Sequence, residues 1–117
     1  MPTIREFTSA LRRRPGVNAA LVSGRDGLLI EGAAVDSLDL DDLAARVPDL
    51  ITEATSIGDA ARLGSCTTCI VELGDGYAIL TTLGADSILT VLLSKGAELG
   101  PMLFELRSQR SRLESLV

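Results

Sequence analysis

Histidine and tryptophan are absent from the chain, lysine occurs once, as Lys95, and the other aromatics amount to two Phe and one Tyr. Without His, acid–base chemistry would fall to placed carboxylates, and the acids here cluster on one segment that reads as an exposed helix face. With so few aromatics the core must be built from Leu, Ile, Val and Ala. A net charge of −5 disfavours nucleic acid as a partner, because backbone phosphates are bound mainly by cations. No run approaches the roughly 18 apolar residues of a membrane span, so no membrane insertion is expected. The first residues, Met-Pro-Thr-Ile-Arg-Glu-Phe, are not a basic-then-apolar leader, so the expected compartment is the cytoplasm. Two Cys make no disulfide scaffold in 117 residues. Gly24, Gly27 and Gly32 surround a hairpin and no Lys-Ser/Thr step follows them, so they are turn glycines and no phosphate loop. No cofactor, no metal and no catalytic residue is implied, and the chain is not expected to be an enzyme.

Apolar residues are plentiful, at 46%. The length suits one domain over residues 1–117. Thr3 can cap a first helix whose stripe is Ile4, Phe7 and Leu11, ended by Arg12 to Arg14 and Pro15-Gly16. Two apolar runs, 17–23 and 28–33, flank Arg25-Asp26-Gly27 and predict a hairpin. Ser37 or Asp39 can cap the next and longest helix, where Asp41 and Asp42 suit the positive helix end. Its apolar positions are Leu40, Leu43, Val47, Leu50, Ile51, Ala54, Ile57 and Ala61, and Gly64 is expected to stop it. Pro48 interrupts the pattern and predicts a kink near Arg46 or two helical pieces. Runs 66–73 and 77–83 around Gly74-Asp75-Gly76 predict a second hairpin, 87–93 predicts a further strand, and a last helix begins near Ala97. The predicted order is α-β-β-α-β-β-β-α. It describes an α+β fold of five antiparallel strands packed by helices.

Charge is uneven along the chain. Eight acids lie between Glu31 and Asp59 against one base, Arg46, while Arg residues gather at the two ends. Such a segment is either a solvated face or a surface that steers a basic partner. Cys66-Thr67-Thr68-Cys69 is a CxxC, but on a strand positions three apart point to opposite faces. The two thiols are read as buried structural groups, with an intersubunit disulfide or a metal or redox role as the alternatives.

The element order resembles the Roadblock family of dynein light chains and their bacterial and archaeal relatives. The residues that carry the likeness are Gly16-Val17-Asn18-Ala19-Ala20-Leu21-Val22-Ser23 with Arg25-Asp26-Gly27-Leu28-Leu29-Ile30, similar to the family's opening hairpin. Gly96-Ala97-Glu98-Leu99-Gly100 is similar to the start of its last helix. The resemblance covers essentially the whole chain. It implies a profilin-like sheet with helices on both faces and pairing as homo- or heterodimers through the middle helix and the adjoining strand. It also implies, for many bacterial members, a small Ras-like GTPase as partner, in some cases with stimulated hydrolysis.

The residues point to pairing on their own account. Ala44, Ala45, Ala60 and Leu63 widen the middle helix's apolar surface beyond one stripe. Run 66–73 is apolar or β-branched on both faces, and an edge strand of that kind needs a partner. The expected dimer interface comprises Leu43, Val47, Leu50 and Ala54 on the helix with Thr68, Ile70 and Glu72 on the strand, and the expected partner surface comprises Asp41, Asp42, Asp49 and Glu53. The leading expectation is a homodimeric adaptor or regulator of a small GTPase. The alternatives are a small-molecule sensor, using Thr68, Thr81, Thr82, Ser87 and Tyr77 around a cavity, and a purely structural subunit of a Roadblock complex.

Overall fold

A computed structural model describes residues 3–35 and 37–117; Asp36, one of the eight acids counted above, lies outside them. The elements are α1 (Ile4–Arg12), β1 (Val17–Gly24), β2 (Leu29–Ala34), α2 (Leu40–Ala60), β3 (Thr68–Leu73), β4 (Gly76–Leu83), β5 (Ser87–Ser94) and α3 (Leu99–Glu114). All strand pairs are antiparallel, in the order β2-β1-β5-β4-β3, so β2 and β3 are the edges. The order and the sheet are those expected from the sequence.

Helices cover both faces, which is why β1, β4 and β5 read as almost unbroken apolar runs. On one face Ala20 and Val22 of β1, Ile79 of β4 and Leu89 and Val91 of β5 pack with Leu11 of α1 and Met102, Leu106 and Leu113 of α3. On the other face lies α2. Its start, through Leu40, Leu43 and Ala44, packs on Ala19 and Leu21 of β1. Its middle, through Val47 and Ile51, packs on Leu80 of β4 and Ile88 of β5. The helix thus crosses the sheet from the β1 side toward the β3 edge.

Local chemistry sets the helix ends. Thr3 caps α1, its hydroxyl accepting from the Glu6 amide at 3.1 Å. Asp39, and not Ser37, caps α2 by accepting from the Asp42 amide at 3.1 Å. The last helix starts at Leu99, two residues later than expected, and Glu98 makes no side-chain cap bond.

Pro48 does not divide α2, which runs as one helix of 21 residues. Proline removes a single amide, so only the Ala44 carbonyl loses its intrahelical donor. The packing of Ala44 and Ile51 on either side of that gap, both buried, fastens the helix to the sheet across it. The stop also differs from expectation, falling at Ala60 rather than Gly64. The Leu63 amide donates to the Gly58 carbonyl at 2.8 Å and the Arg62 amide to the Asp59 carbonyl at 3.2 Å. Those two bonds form a Schellman motif with Arg62 in the left-handed position, at φ 59°. Glycine usually fills that position, and the sequence offers no signal that an arginine would.

Two outcomes follow for stability. Arg62→Gly is expected to stabilise the protein by up to about 1 kcal/mol, by relieving the left-handed strain on a residue with a Cβ. Ile51→Ala is expected to cost about 2–5 kcal/mol in urea denaturation, and a loss below about 1 kcal/mol would contradict the docking of α2 described here.

Candidate interaction surface on α2 and β3

The sheet covers only one side of α2. Ala44 and Ile51 are buried, and Leu40, Leu43 and Val47 pack partly beside them. Positions seven apart on the flank, Leu50 and Ile57, remain exposed, Leu50 by 37% and Ile57 by 71%. Leu63, just past the cap, is 83% exposed. In a Schellman motif the residue at that place usually packs back on the last turn. Here the residue it would meet is Gly58, which has no side chain. Gly58 is itself required, since a Cβ there would run into the Gly64 carbonyl oxygen.

The turn after α2 fixes β3 beside the helix. The Cys66 amide donates to the Thr55 hydroxyl at 3.1 Å, tying the strand's approach to the second turn from the end of α2. Strand β3 then pairs with β4 alone, Ile70 opposite Ile79 and Glu72 opposite Tyr77. Its register sends Cys69, Val71 and Leu73 to the α2 side and Thr68, Ile70 and Glu72 to the other. Ile70 is 41% exposed, and Leu73 is exposed as well.

The expected interface residues therefore fall into two groups. Leu50 on α2, with Ile70 and Glu72 on β3, is exposed, and Ala54 and Thr68 are half-buried. Leu43 and Val47 are partly spent on packing within the chain. Ile57, Leu63 and Leu73 are exposed apolar residues that the expected set omitted. The spacing from Leu50 to Ile57 carried the signal for one of them, whereas Leu63 depends on a cap that the sequence does not announce.

Asp41, Asp42, Asp49 and Glu53 are all exposed. Asp42 also bonds Arg46 at 3.0 Å, one turn on. The hydrogen bond first and the charge second hold the Arg46 guanidinium's pKa above its ordinary value. The other three carboxylates make no ion pair among the described residues.

The CxxC departs from expectation. Cys66 precedes β3, so strand alternation does not govern it, and both thiols pack against the Ile51, Leu80 and Ile88 cluster on the α2 side. Both are free. Burial first, and Cys66 second, push the Cys69 thiol above its ordinary pKa. Among the described residues no group of three or more His, Cys, Asp or Glu is placed to hold a metal ion. Of the polar groups considered for a ligand cavity, Thr68 and Thr81 lie opposite each other across β3 and β4, and the other three are set apart from them in bonds or position. Thr82 is bonded to Thr67 and Arg110, Ser87 lies at the start of β5, and Tyr77 lies by the β3–β4 turn. No helix among the described residues is long and apolar enough to cross a membrane.

The sequence profile of the Roadblock/LC7 domain matches residues 3–93, from the cap of α1 to the end of β5. The chain belongs to the Roadblock/LC7 domain family. Solved structures bear the same fold. Similar ones include MglB of Myxococcus xanthus, with 15% identity, a TM-score of 0.86, and 97% of this chain and 93% of that one covered. A Roadblock/LC7 domain from Streptomyces avermitilis is 24% identical, with a TM-score of 0.78 and coverage of 96% and 98%. An MglB described in a tetrameric arrangement is 16% identical, with a TM-score of 0.83 and coverage of 95% and 85%. Comparison with curated proteins by sequence finds no match.

The thiol chemistry gives a pH dependence. The unfolded chain releases the Cys69 proton more readily than the folded Roadblock domain does. Cys69 therefore contributes stability that is fully present below the ordinary thiol pKa and is lost as pH rises through the raised value. Unfolding free energy measured against pH is expected to fall on the alkaline side, with a shallower fall in Cys69→Ala. Equal slopes in the two proteins would contradict this assignment.

Proposed function

We propose that this Roadblock chain is a homodimeric, non-enzymatic adaptor that binds a Ras-like small GTPase and acts on its nucleotide cycle. The observation that carries the dimer is the pairing of two unmet needs on neighbouring elements. β3 has an unpaired edge with exposed Ile70 and Leu73, α2 has exposed Leu50 and Ile57, and Leu63 just past its cap is exposed as well. An edge strand that meets its own copy around a twofold axis satisfies its backbone and extends the sheet. The α2 helices of the two copies then cover each other's outer flank. The MglB described as tetrameric is a precedent for self-association in a protein of this fold.

The GTPase rests on what membership of the family implies for bacterial members and on the acidic surface of α2. Asp41, Asp49 and Glu53 are exposed and unpaired among the described residues, and carboxylates so disposed steer a partner with a basic patch. The adaptor works by holding that partner against a rigid platform, and the cytoplasm is the compartment where such a GTPase is met.

Light scattering on the purified protein is expected to give twice the mass of one chain. Ile70→Asp and Leu50→Asp are each expected to give a folded monomer, because a carboxylate buried without a partner costs several kcal/mol. A folded dimer in both variants would refute the interface. Pull-downs with Ras-like GTPases of the same genome, in GDP and GTP-analogue forms, test the partner. Binding is expected for at least one of them and is expected to be lost in Asp49→Lys/Glu53→Lys with the dimer intact; absence of binding to any would refute the GTPase assignment alone.

A further inference from the structure

The sheet face opposite α2 has the opposite charge. Residues 3–16 and 99–117, which hold α1 and α3, carry seven Arg against three Glu, although the whole chain is at −5. Arg14 pairs with Glu105 and Arg110 with Glu114, which uses two of those three carboxylates. Among the described residues Arg5, Arg12, Arg13, Arg107 and Arg112 have no carboxylate within 4 Å.

Three of these arginines edge a groove of about 560 Å³ between α1 and α3. Its apolar lining is Phe7 of α1 with Leu113 and Leu116 on the α3 side, and Arg5, Arg13 and Arg112 stand beside them. One acid, Glu6, lines it as well. Arg5 and Arg13 are eight residues apart, so the groove runs along about two helical turns of α1. The α3 side repeats at the same pitch, with Gln109, Arg112, Leu113 and Leu116 at i, i+3, i+4 and i+7. A trough between two helices, apolar along its middle and cationic along its edges, matches a third helix of inverse pattern.

We propose that the α1–α3 groove is a second docking surface, whose occupant is an acidic amphipathic helix of a partner protein. An apolar stripe at i, i+3, i+4 and i+7 enters between Phe7, Leu113 and Leu116. Asp and Glu flanking that stripe meet Arg5, Arg13 and Arg112. The complementarity of charge selects the occupant: this layer repels a basic segment and attracts one flanked by carboxylates. The site lies across the sheet from α2, so a dimer offers two such grooves while its acidic surface stays free. The Roadblock platform can thereby hold two partners of opposite charge on its two faces.

The probe is a fluorescein-labelled synthetic helix of about 15 residues, with Leu on the stripe and Glu elsewhere; a second peptide carries Lys at every Glu. Anisotropy titrations of the full chain are expected to show the Glu peptide binding at least about tenfold more tightly than the Lys peptide, and weakening by a similar factor from about 50 mM to about 500 mM salt. Arg13→Glu/Arg112→Glu is expected to abolish the preference, and Ala10→Trp, which fills the groove, to weaken the Glu peptide, both with unchanged dimer mass and melting temperature. Equal affinity for the two peptides, or the same affinity in the double variant, would overturn the proposal. So would two other arginine-dependent outcomes in the absence of peptide: sedimentation with phosphatidylserine vesicles, which would assign the face to membranes, or association beyond the dimer, which would assign it to a second copy.

Discussion

The structure depends on one imbalance: α2 carries more apolar surface than the sheet beneath it can cover. Ala44 and Ile51 satisfy the sheet, with help from Leu40, Leu43 and Val47. What remains on the helix, Leu50 and Ile57, together with Leu63 just past its cap, is exposed among the described residues. The same helix ends in a Schellman turn that delivers the chain into an edge strand. Uncovered helix and unpaired edge are thus placed side by side by one continuous stretch of backbone, fastened by the bond between the Cys66 amide and Thr55. A monomer would leave both exposed to water, and a twofold pair removes both at once.

The two faces of the sheet divide the chemistry between them. α2 presents acids, whereas α1 and α3 present arginines that mostly lack partners among the described residues. Both sets of charges are carried largely by helices packed on the sheet. The five-stranded sheet between the layers keeps the two surfaces apart.

Much of this was legible from the residues. Alternating and continuous apolar runs gave the eight elements in order, because burial on one or both faces leaves a direct imprint on sequence. Asp39, Thr3 and the Asp-Gly hairpin act locally, and local chemistry reads well. Of the expected interface residues, Leu50, Ile70 and Glu72 are exposed, but Leu43 and Val47 are drawn into the core by the tilt at which α2 crosses the sheet. No pattern in the sequence encodes that tilt. Likewise Arg62 at a glycine's position, the unbroken helix through Pro48 and the common side of Cys66 and Cys69 are set by tertiary packing, which overrides the local preference of each residue.

Hydrogen exchange measured at several protein concentrations is the direct test of the proposed dimer, because it reads the backbone of the edge strand itself. Amides in Thr68–Leu73 that β4 does not bond are expected to become more protected as concentration rises, together with slower exchange toward the end of α2, while the β2 edge does not change. Fast exchange of those β3 amides that stays independent of concentration would mean that the edge is unpaired in solution, and it would contradict the proposed dimer.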